Sequence, residues 1–219
     1  EEESFKIYKG TSTSDTLLLS VYGTTSHNSQ TNYYSFCMIP DQIYYIRYQG
    51  TVTDSSNNNY GWSSNSYVEI SYQNQILVKG AVPTRYTYSW GDYFVYHECQ
   101  SNEIEATVTR QYTSNAYQEW FYIYPSSSSS YNRLLAIKGL NSDDNQQYSS
   151  ICIEPGKQYT IYYRDDGSNG WSTNSYLHIT YQNSTIYKGT LSSSSSMYDY
   201  FTYYECESNE IRVNVKRVY

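Results

Sequence analysis

Apolar and polar residues alternate with a period of two along short segments of this chain, and turn-forming residues separate the segments. The alternation is clearest in Ser66–Tyr72 and Ser175–Tyr181, and helical periodicity is essentially absent. The predicted strands are Phe5–Lys9, Leu17–Tyr22, Tyr33–Met38, Ile43–Tyr48, Ser66–Tyr72, Gln75–Val78, Tyr93–His97, Ile104–Arg110, Trp120–Tyr124, Arg133–Lys138, Ser149–Ile153, Gln158–Tyr163, Ser175–Tyr181, Ser184–Tyr187, Phe201–Glu205 and Ile211–Val218. Short strands separated by turns predict an all-β protein built from antiparallel sandwiches or jelly rolls.

The second half of the chain repeats the first. The matched segments are Gly61–Asn74 with Gly170–Asn183, Cys99–Ile104 with Cys206–Ile211, Cys37–Pro40 with Cys152–Pro155, Phe5–Tyr8 with Phe121–Tyr124, and Arg110–Tyr112 with Arg217–Tyr219. We therefore expect two tandem, jelly-roll-like β-sandwich domains, 1–112 and 120–219, with 113–119 as a short linker.

Four cysteines divide evenly between the repeats and allow three pairings. Equivalent cysteines in equivalent modules should form equivalent bonds, which predicts Cys37–Cys99 and Cys152–Cys206, one disulfide in each domain. The alternatives are four free thiols or a zinc site, although no close Cys or His pair exists. Paired cysteines imply an oxidising compartment and hence secretion, and a glycosylation sequon at Asn183 agrees with it.

The composition narrows the classes of partner. Tyrosine occurs 31 times, charged residues are 16% of the chain, and the formal net charge is −7. The lack of a basic stripe argues against nucleic acid, and no apolar run approaches the length of a membrane span. The start at Glu1 suggests a processed mature protein or a fragment.

The segment Cys152–Ile161, followed by Arg164–Trp171, resembles secreted β-sandwich modules of the CUB-like or convertase P-domain-like class. Those modules contain a cysteine, a glycine turn, an alternating strand and an acidic Gly-Trp loop, and they often occur in tandem. If the loop binds calcium in that class, the resemblance implies Asp165 and Asp166 as weak candidate ligands. Asn169 stands where the class has a further aspartate, and we expect no cofactor.

Candidate chemistry is sparse. None of the three histidines, His27, His97 and His178, recurs between the repeats. No nucleophile elbow, metal-binding His pair or phosphate loop is present, which favours a non-enzymatic protein. Trp62 and Trp171 do recur, and two interpretations stay open: a tryptophan packed in each core, or a platform that stacks on sugars.

Two functions of different classes follow from these observations. The first is a secreted structural subunit that assembles with itself into a filament or surface coat, since tyrosine-rich surfaces of low charge suit protein interfaces. A candidate assembly strand is the edge strand at the N-terminus, with Phe5, Ile7 and Tyr8, exchanged between subunits. The second is a carbohydrate-binding adhesin that uses the loops of Trp62 and Trp171.

Overall fold

The computed structural model of the chain is all-β, as the alternation predicts. It describes residues 3–23, 31–50, 52–53, 59–60, 62, 66–73, 75–81, 89–112, 116–127, 131–139 and 147–205. Within these ranges there is no α-helix, and a short 3-10 helix spans Ala116–Gln118. The predicted residues Cys206 and His27 and the predicted strand Ile211–Val218 lie outside the described residues.

The described residues form sixteen strands. Those of the first repeat are β1 (Ser4–Lys9), β2 (Thr16–Tyr22), β3 (Tyr44–Gln49), β4 (Val52–Thr53), β5 (Asn59–Tyr60), β6 (Val68–Tyr72), β7 (Gln75–Gly80), β8 (Ser89–Phe94) and β9 (Ile104–Gln111). Those of the second repeat are β10 (Glu119–Pro125), β11 (Leu135–Lys138), β12 (Gln147–Ile153), β13 (Gln158–Asp165), β14 (Tyr176–Tyr181), β15 (Ser184–Gly189) and β16 (Ser196–Thr202).

The strands form three principal sheets, and two of these combine strands of both repeats. The first outer sheet has the order β2-β1-β3-β8 and belongs to the first repeat alone. The central sheet, β16-β13-β10-β11-β7-β6, joins four strands of the second repeat to two of the first through a parallel pairing of β7 with β11. The second outer sheet, β12-β9-β14-β15, holds one strand of the first repeat. The division into two separate sandwiches at residues 113–119 is therefore not confirmed.

Strand β10 shows why the sheets stack in three layers. Phe121 and Ile123 belong to a core shared with the second outer sheet, whereas Trp120 and Tyr122 belong to a core shared with the first outer sheet. Successive side chains of a strand point to opposite faces, so a strand with apolar residues at every position must be covered on both sides. The nearly continuous apolar run of β10 therefore suits a strand of the central layer, with one core on each of its faces.

Strand β1 lies inside its sheet and not at an edge. It pairs antiparallel with β2 on one side and with β3 on the other, and Ile7 is buried while Phe5 is half-buried. The prediction that Phe5, Ile7 and Tyr8 form an edge strand is therefore wrong, whereas the exchange of this strand between subunits stays a prediction. Its position near the N-terminus carried that prediction, but sheet order follows from pairing and not from order along the chain.

Among the described residues, the structure contains no helix of the length and apolarity required to cross a lipid bilayer.

Candidate functional site

The disulfide of the structure joins the two repeats. Cys99 is bonded to Cys152, with their Cα atoms 5.1 Å apart. Cys37 is a free, exposed thiol. The predicted bonds Cys37–Cys99 and Cys152–Cys206 are therefore both wrong, since each requires a cysteine that is already bonded elsewhere.

The physical reason is the path of β9, the last strand of the first repeat. It inserts between β12 and β14 of the second repeat, and the register of the β9–β12 pair sets Ile104 opposite Ile153. Cys99 precedes β9 by a few residues, so the strand brings it to the end of β12, where Cys152 lies. The path of β9 therefore sets the position of Cys99, and β9 completes the second repeat.

The apolar face of β9 is part of the core of the second repeat. Ile104, Ala106 and Val108 are buried, and the residues between them, Glu105 and Thr107, are exposed. The buried three pack in one cluster with residues of β10–β14. This alternation is the one that the sequence predicts for a half-buried strand, but the core that it fills belongs to the other repeat.

The end of β9 is held by a buried ion pair. The guanidinium of Arg110 bonds to the carboxylate of Glu119, and both side chains are 1% exposed. Arg110 also lies 3.6 Å over the ring of Trp171, and Glu119 accepts a 2.6 Å hydrogen bond from the backbone N–H of Ser172. Burial raises the pKa of Glu119, against the opposing effect of Arg110. An arginine of the first repeat thus fixes the Gly-Trp loop of the second.

The start of β9 is held by a histidine between two carboxylates. His97 Nε2 lies 2.8 Å from Glu103 Oε2, and its Nδ1 bonds to Asp41. Burial alone would lower the pKa of His97, but the hydrogen bonds to Asp41 and Glu103 outweigh it and raise that pKa. Because each ring nitrogen contacts a carboxylate, the three side chains form a clamp at the start of β9, and the protonated imidazole is the form that the carboxylates favour.

Trp62 and Trp171 are both core residues. Each is 5% exposed, and each donates its indole N–H to a backbone carbonyl, Trp62 to Gln49 at 2.8 Å and Trp171 to Arg164 at 3.0 Å. A ring that stacks on a sugar must present a face to solvent. The burial favours the interpretation of these tryptophans as core anchors.

In the acidic loop before Trp171, backbone N–H groups of the loop bond to the carboxylate of Asp165. Asp165 is 2% exposed and accepts hydrogen bonds from the N–H groups of Gly167, Asn169 and Gly170, the last at 3.0 Å. Asp166 forms ion pairs with Lys138 and Arg164. Calcium favours six to eight oxygen ligands, and no cluster of three or more metal-binding side chains occurs within the described part of the chain.

Asn183, the sequon residue, lies exposed at the turn between β14 and β15, where its φ of 63° is left-handed. Asparagine tolerates that conformation better than most residues. Its glycosylation stays a prediction.

Pairs of tyrosine rings also extend from the sheets toward the surface. Tyr45 and Tyr93 have ring centroids 5.1 Å apart, and Tyr93 is 4.5 Å from Tyr131. On β13 and β16, Tyr162 and Tyr198 form a similar pair at 4.8 Å. Tyr198 is 58% exposed and Tyr131 45%. These paired tyrosine rings thus extend from the sheet to the surface.

The sequence does not indicate that Arg110 pairs with Glu119, or that His97 lies beside Glu103. A signal existed for Arg110, because it recurs as Arg217 at the end of the second repeat. Its role depends on which repeat β9 enters, and that path is a property of the fold.

The comparisons with known proteins add no relative: no protein family model, no curated protein and no solved structure matches this chain.

Proposed function

We propose that the protein is a non-enzymatic structural subunit that assembles head to tail into an extracellular filament or surface coat. The observation that carries the proposal is the crossing of β9, through which the first repeat donates its last strand and a cysteine to the second. The chain is a duplication, so the same kind of joint can form again at its other end. A head-to-tail joint that does not close on itself generates a filament.

The contact between β9 and the second repeat, which we call the joint, is held by several kinds of interaction. It combines seven residue pairs between β9 and β12, five between β9 and β14, a disulfide and a buried ion pair. Breaking a buried pair such as Arg110–Glu119 from one side typically costs about 3–5 kcal/mol, because the other charge is left unpaired. This joint lies within one chain, and a joint of the same kind between subunits would be secured covalently and by burial.

The exposed tyrosines support lateral association. Tyr198 and Tyr200 are 58% and 53% exposed on β16, which is an edge strand of the central sheet among the described residues. Tyrosine is enriched at protein interfaces because it contributes a large apolar ring and a hydroxyl at a small entropic cost. The disulfide and the exposed sequon Asn183 support the extracellular location.

Electron microscopy of the native, unfractionated protein tests this proposal. We expect regular filaments or sheets with a repeat that matches one subunit. Dispersed monomers over a wide concentration range would refute the structural role. The adhesin hypothesis receives no comparable support, since both tryptophans of its Gly-Trp loops are buried.

A further inference from the structure

We infer that the ring pair Tyr93–Tyr131 is a site of oxidative modification, at which a carbon–carbon bond forms between the two phenols and gives a dityrosine. The bond joins β8 of the first repeat to the segment that precedes β11 in the second. It forms within one chain, so it does not depend on the proposed assembly. Unlike the disulfide Cys99–Cys152, a carbon–carbon bond between the repeats resists reducing agents.

The two rings lie at nearly the separation that the product requires. Their centroids are 4.5 Å apart, and their planes are inclined by 54°. Aromatic pairs in proteins have centroids about 4.5–7 Å apart, so this pair lies at the short end of that range. In dityrosine a bond of about 1.5 Å joins two ring carbons, which sets the two centroids about 4.3 Å apart. Coupling therefore requires rotation of a ring but little displacement of the backbone.

The segment that carries Tyr131 is held against β8. The backbone N–H of Val95 donates to the carbonyl of Arg133 at 3.2 Å, and the N–H of Arg133 donates to the carbonyl of Tyr131 at 3.0 Å. The guanidinium of Arg133 pairs with the buried carboxylate of Asp92 and lies 5.3 Å from the centre of the Tyr93 ring. These contacts hold the backbone beside Tyr131 in place, which keeps one phenol at a high effective concentration next to the other.

An oxidant can reach this pair from solvent. Tyr131 is exposed, and Tyr93 is half-buried. The strand neighbours of Tyr93, Asp92 and Phe94, are buried. Successive side chains of a strand point to opposite faces, so Tyr93 points away from the core that Phe94 enters. A one-electron oxidant at the surface therefore has access to both phenols.

Tyrosine pairs on adjacent strands are placed less favourably for coupling. Tyr162 lies directly opposite Tyr198, and Tyr45 directly opposite Tyr93, with centroids 4.8 and 5.1 Å apart. Side chains at such positions extend side by side from the sheet, and each strand restricts its own ring. Tyr131 instead lies in a turn outside the strands, so its exposed ring can rotate its edge toward the edge of Tyr93.

The pair Tyr72–Tyr96 has a different geometry. Its centroids are 4.7 Å apart, and the planes are inclined by 67° in an edge-to-face contact. The edge of one ring thus points at the face of the other, whereas the new bond of a dityrosine lies in the plane of both rings. We expect this pair to couple less than Tyr93–Tyr131, and it provides an internal comparison.

The covalent step is a two-electron oxidation of the two phenols together. A peroxidase that uses hydrogen peroxide removes one hydrogen atom, an electron and a proton, from each hydroxyl group, and one hydrogen peroxide becomes two waters. The two phenoxyl radicals couple through one Cε carbon of each ring. The hydrogen on each coupled carbon then moves to the phenoxyl oxygen, which restores both phenols. The product therefore has two hydrogens fewer than the two tyrosines.

Peroxidase treatment of the dilute, full-length protein tests the inference. The monomer fraction is reduced and digested, and cross-linked peptides are identified by mass spectrometry; free tyrosine treated in parallel verifies the oxidant. We expect the Tyr93–Tyr131 peptide pair as the major cross-link of the monomer, at about threefold or more the yield of Tyr72–Tyr96 or Tyr162–Tyr198, because proximity and orientation favour it. A monomer without this pair, or one in which another pair predominates, would overturn the inference.

Phenylalanine variants separate proximity from exposure. Tyr131→Phe and Tyr93→Phe keep an aromatic ring but remove the phenol, so each should lose most of the dityrosine fluorescence of the oxidised monomer. Tyr33→Phe is the matched control, since Tyr33 is 91% exposed, and it should leave that fluorescence unchanged. An equal loss in Tyr33→Phe and Tyr131→Phe would show that exposure governs the reaction and would overturn the inference. Circular dichroism before oxidation checks the fold of each variant, and the wild-type peptide map needs no substitution.

Thermal unfolding in a reducing agent tests whether the bond ties the repeats together. The disulfide is then open and the dityrosine persists, so the oxidised wild type should melt roughly 5 °C or more above the unoxidised protein, because a cross-link restricts the unfolded chain. An equal gain in oxidised Tyr131→Phe would contradict the assignment to this pair. Filaments without the bond would refute this inference alone, whereas a cross-linked monomer that never elongates would refute the filament alone.

Discussion

Replacement of Cys152 by alanine should destabilise the protein strongly, whereas the same replacement of Cys37 should not. The bond Cys99–Cys152 closes a loop with a sequence separation of 53. In the chain-entropy model a loop of this length contributes about 4 kcal/mol, because the cross-link restricts the unfolded chain. For a chain of this size, about 2–4 °C of melting temperature corresponds to each kcal/mol, so we expect a decrease of roughly 8–16 °C.

The assay is thermal unfolding of the monomeric fraction, followed by circular dichroism, together with mapping of disulfide-linked peptides. Cys99→Ala should match Cys152→Ala, since each breaks the same bond. Cys37→Ala is the matched control, and its exposed side chain predicts a change within about 0.5 kcal/mol.

One pattern of melting temperatures would contradict the Cys99–Cys152 bond. If Cys37→Ala and Cys99→Ala lower the melting temperature together while Cys152→Ala does not match Cys99→Ala, the bond lies within the first repeat. The path of β9 into the second repeat would then lose its covalent support.

Three further predictions concern the joint and the core. Ala106→Glu places a carboxylate in the core of the second repeat, where Ala106 is 0% exposed, and should reduce the free energy of unfolding in urea by about 3 kcal/mol or more; Thr107→Glu, on the exposed face of the same strand, should change it by less than about 0.5 kcal/mol, and equal effects would contradict the burial of β9. Because the pKa of His97 is raised, its stabilisation is fully present below its ordinary pKa of 6.5 and is lost as pH rises through the raised value. Melting temperature should therefore fall with rising pH above pH 6.5 more in wild type than in His97→Gln; parallel profiles would exclude the clamp. Trp171→Ala should cost about 3–5 kcal/mol because the indole is buried, and a nearly unchanged melting temperature with loss of glycan binding would instead restore the adhesin hypothesis.

Much of the local structure could be predicted from the sequence. The alternation in Ser175–Tyr181 appears as β14, and the strand predicted at Ile104–Arg110 appears as β9. These predictions hold because a side chain's face in a strand depends only on its position along that strand. The segment Tyr33–Met38 is the counterexample, since it has the sequence of a strand but no strand conformation in the structure.

The candidate site could be predicted only in part. Arg110 recurs as Arg217 and Cys99 recurs as Cys206, so the sequence indicates that the end of each repeat has the same structural role. The predicted pairing Cys37–Cys99 assumes that each repeat closes on itself. Nothing in the residues of either repeat tests that assumption, because the strands Ser66–Tyr72 and Ser175–Tyr181 have nearly the same apolar alternation.

Residue types and their spacing are enough to predict that the protein is all-β and that it is duplicated. The arrangement of the strands in space is needed to show that β9 completes the second repeat, that β1 lies inside its sheet, and that Cys99 bonds to Cys152. The physical reason is that a strand can pair with any compatible edge. The choice between edges of similar sequence depends on the length of the connection and on the arrangement of the sheets in space.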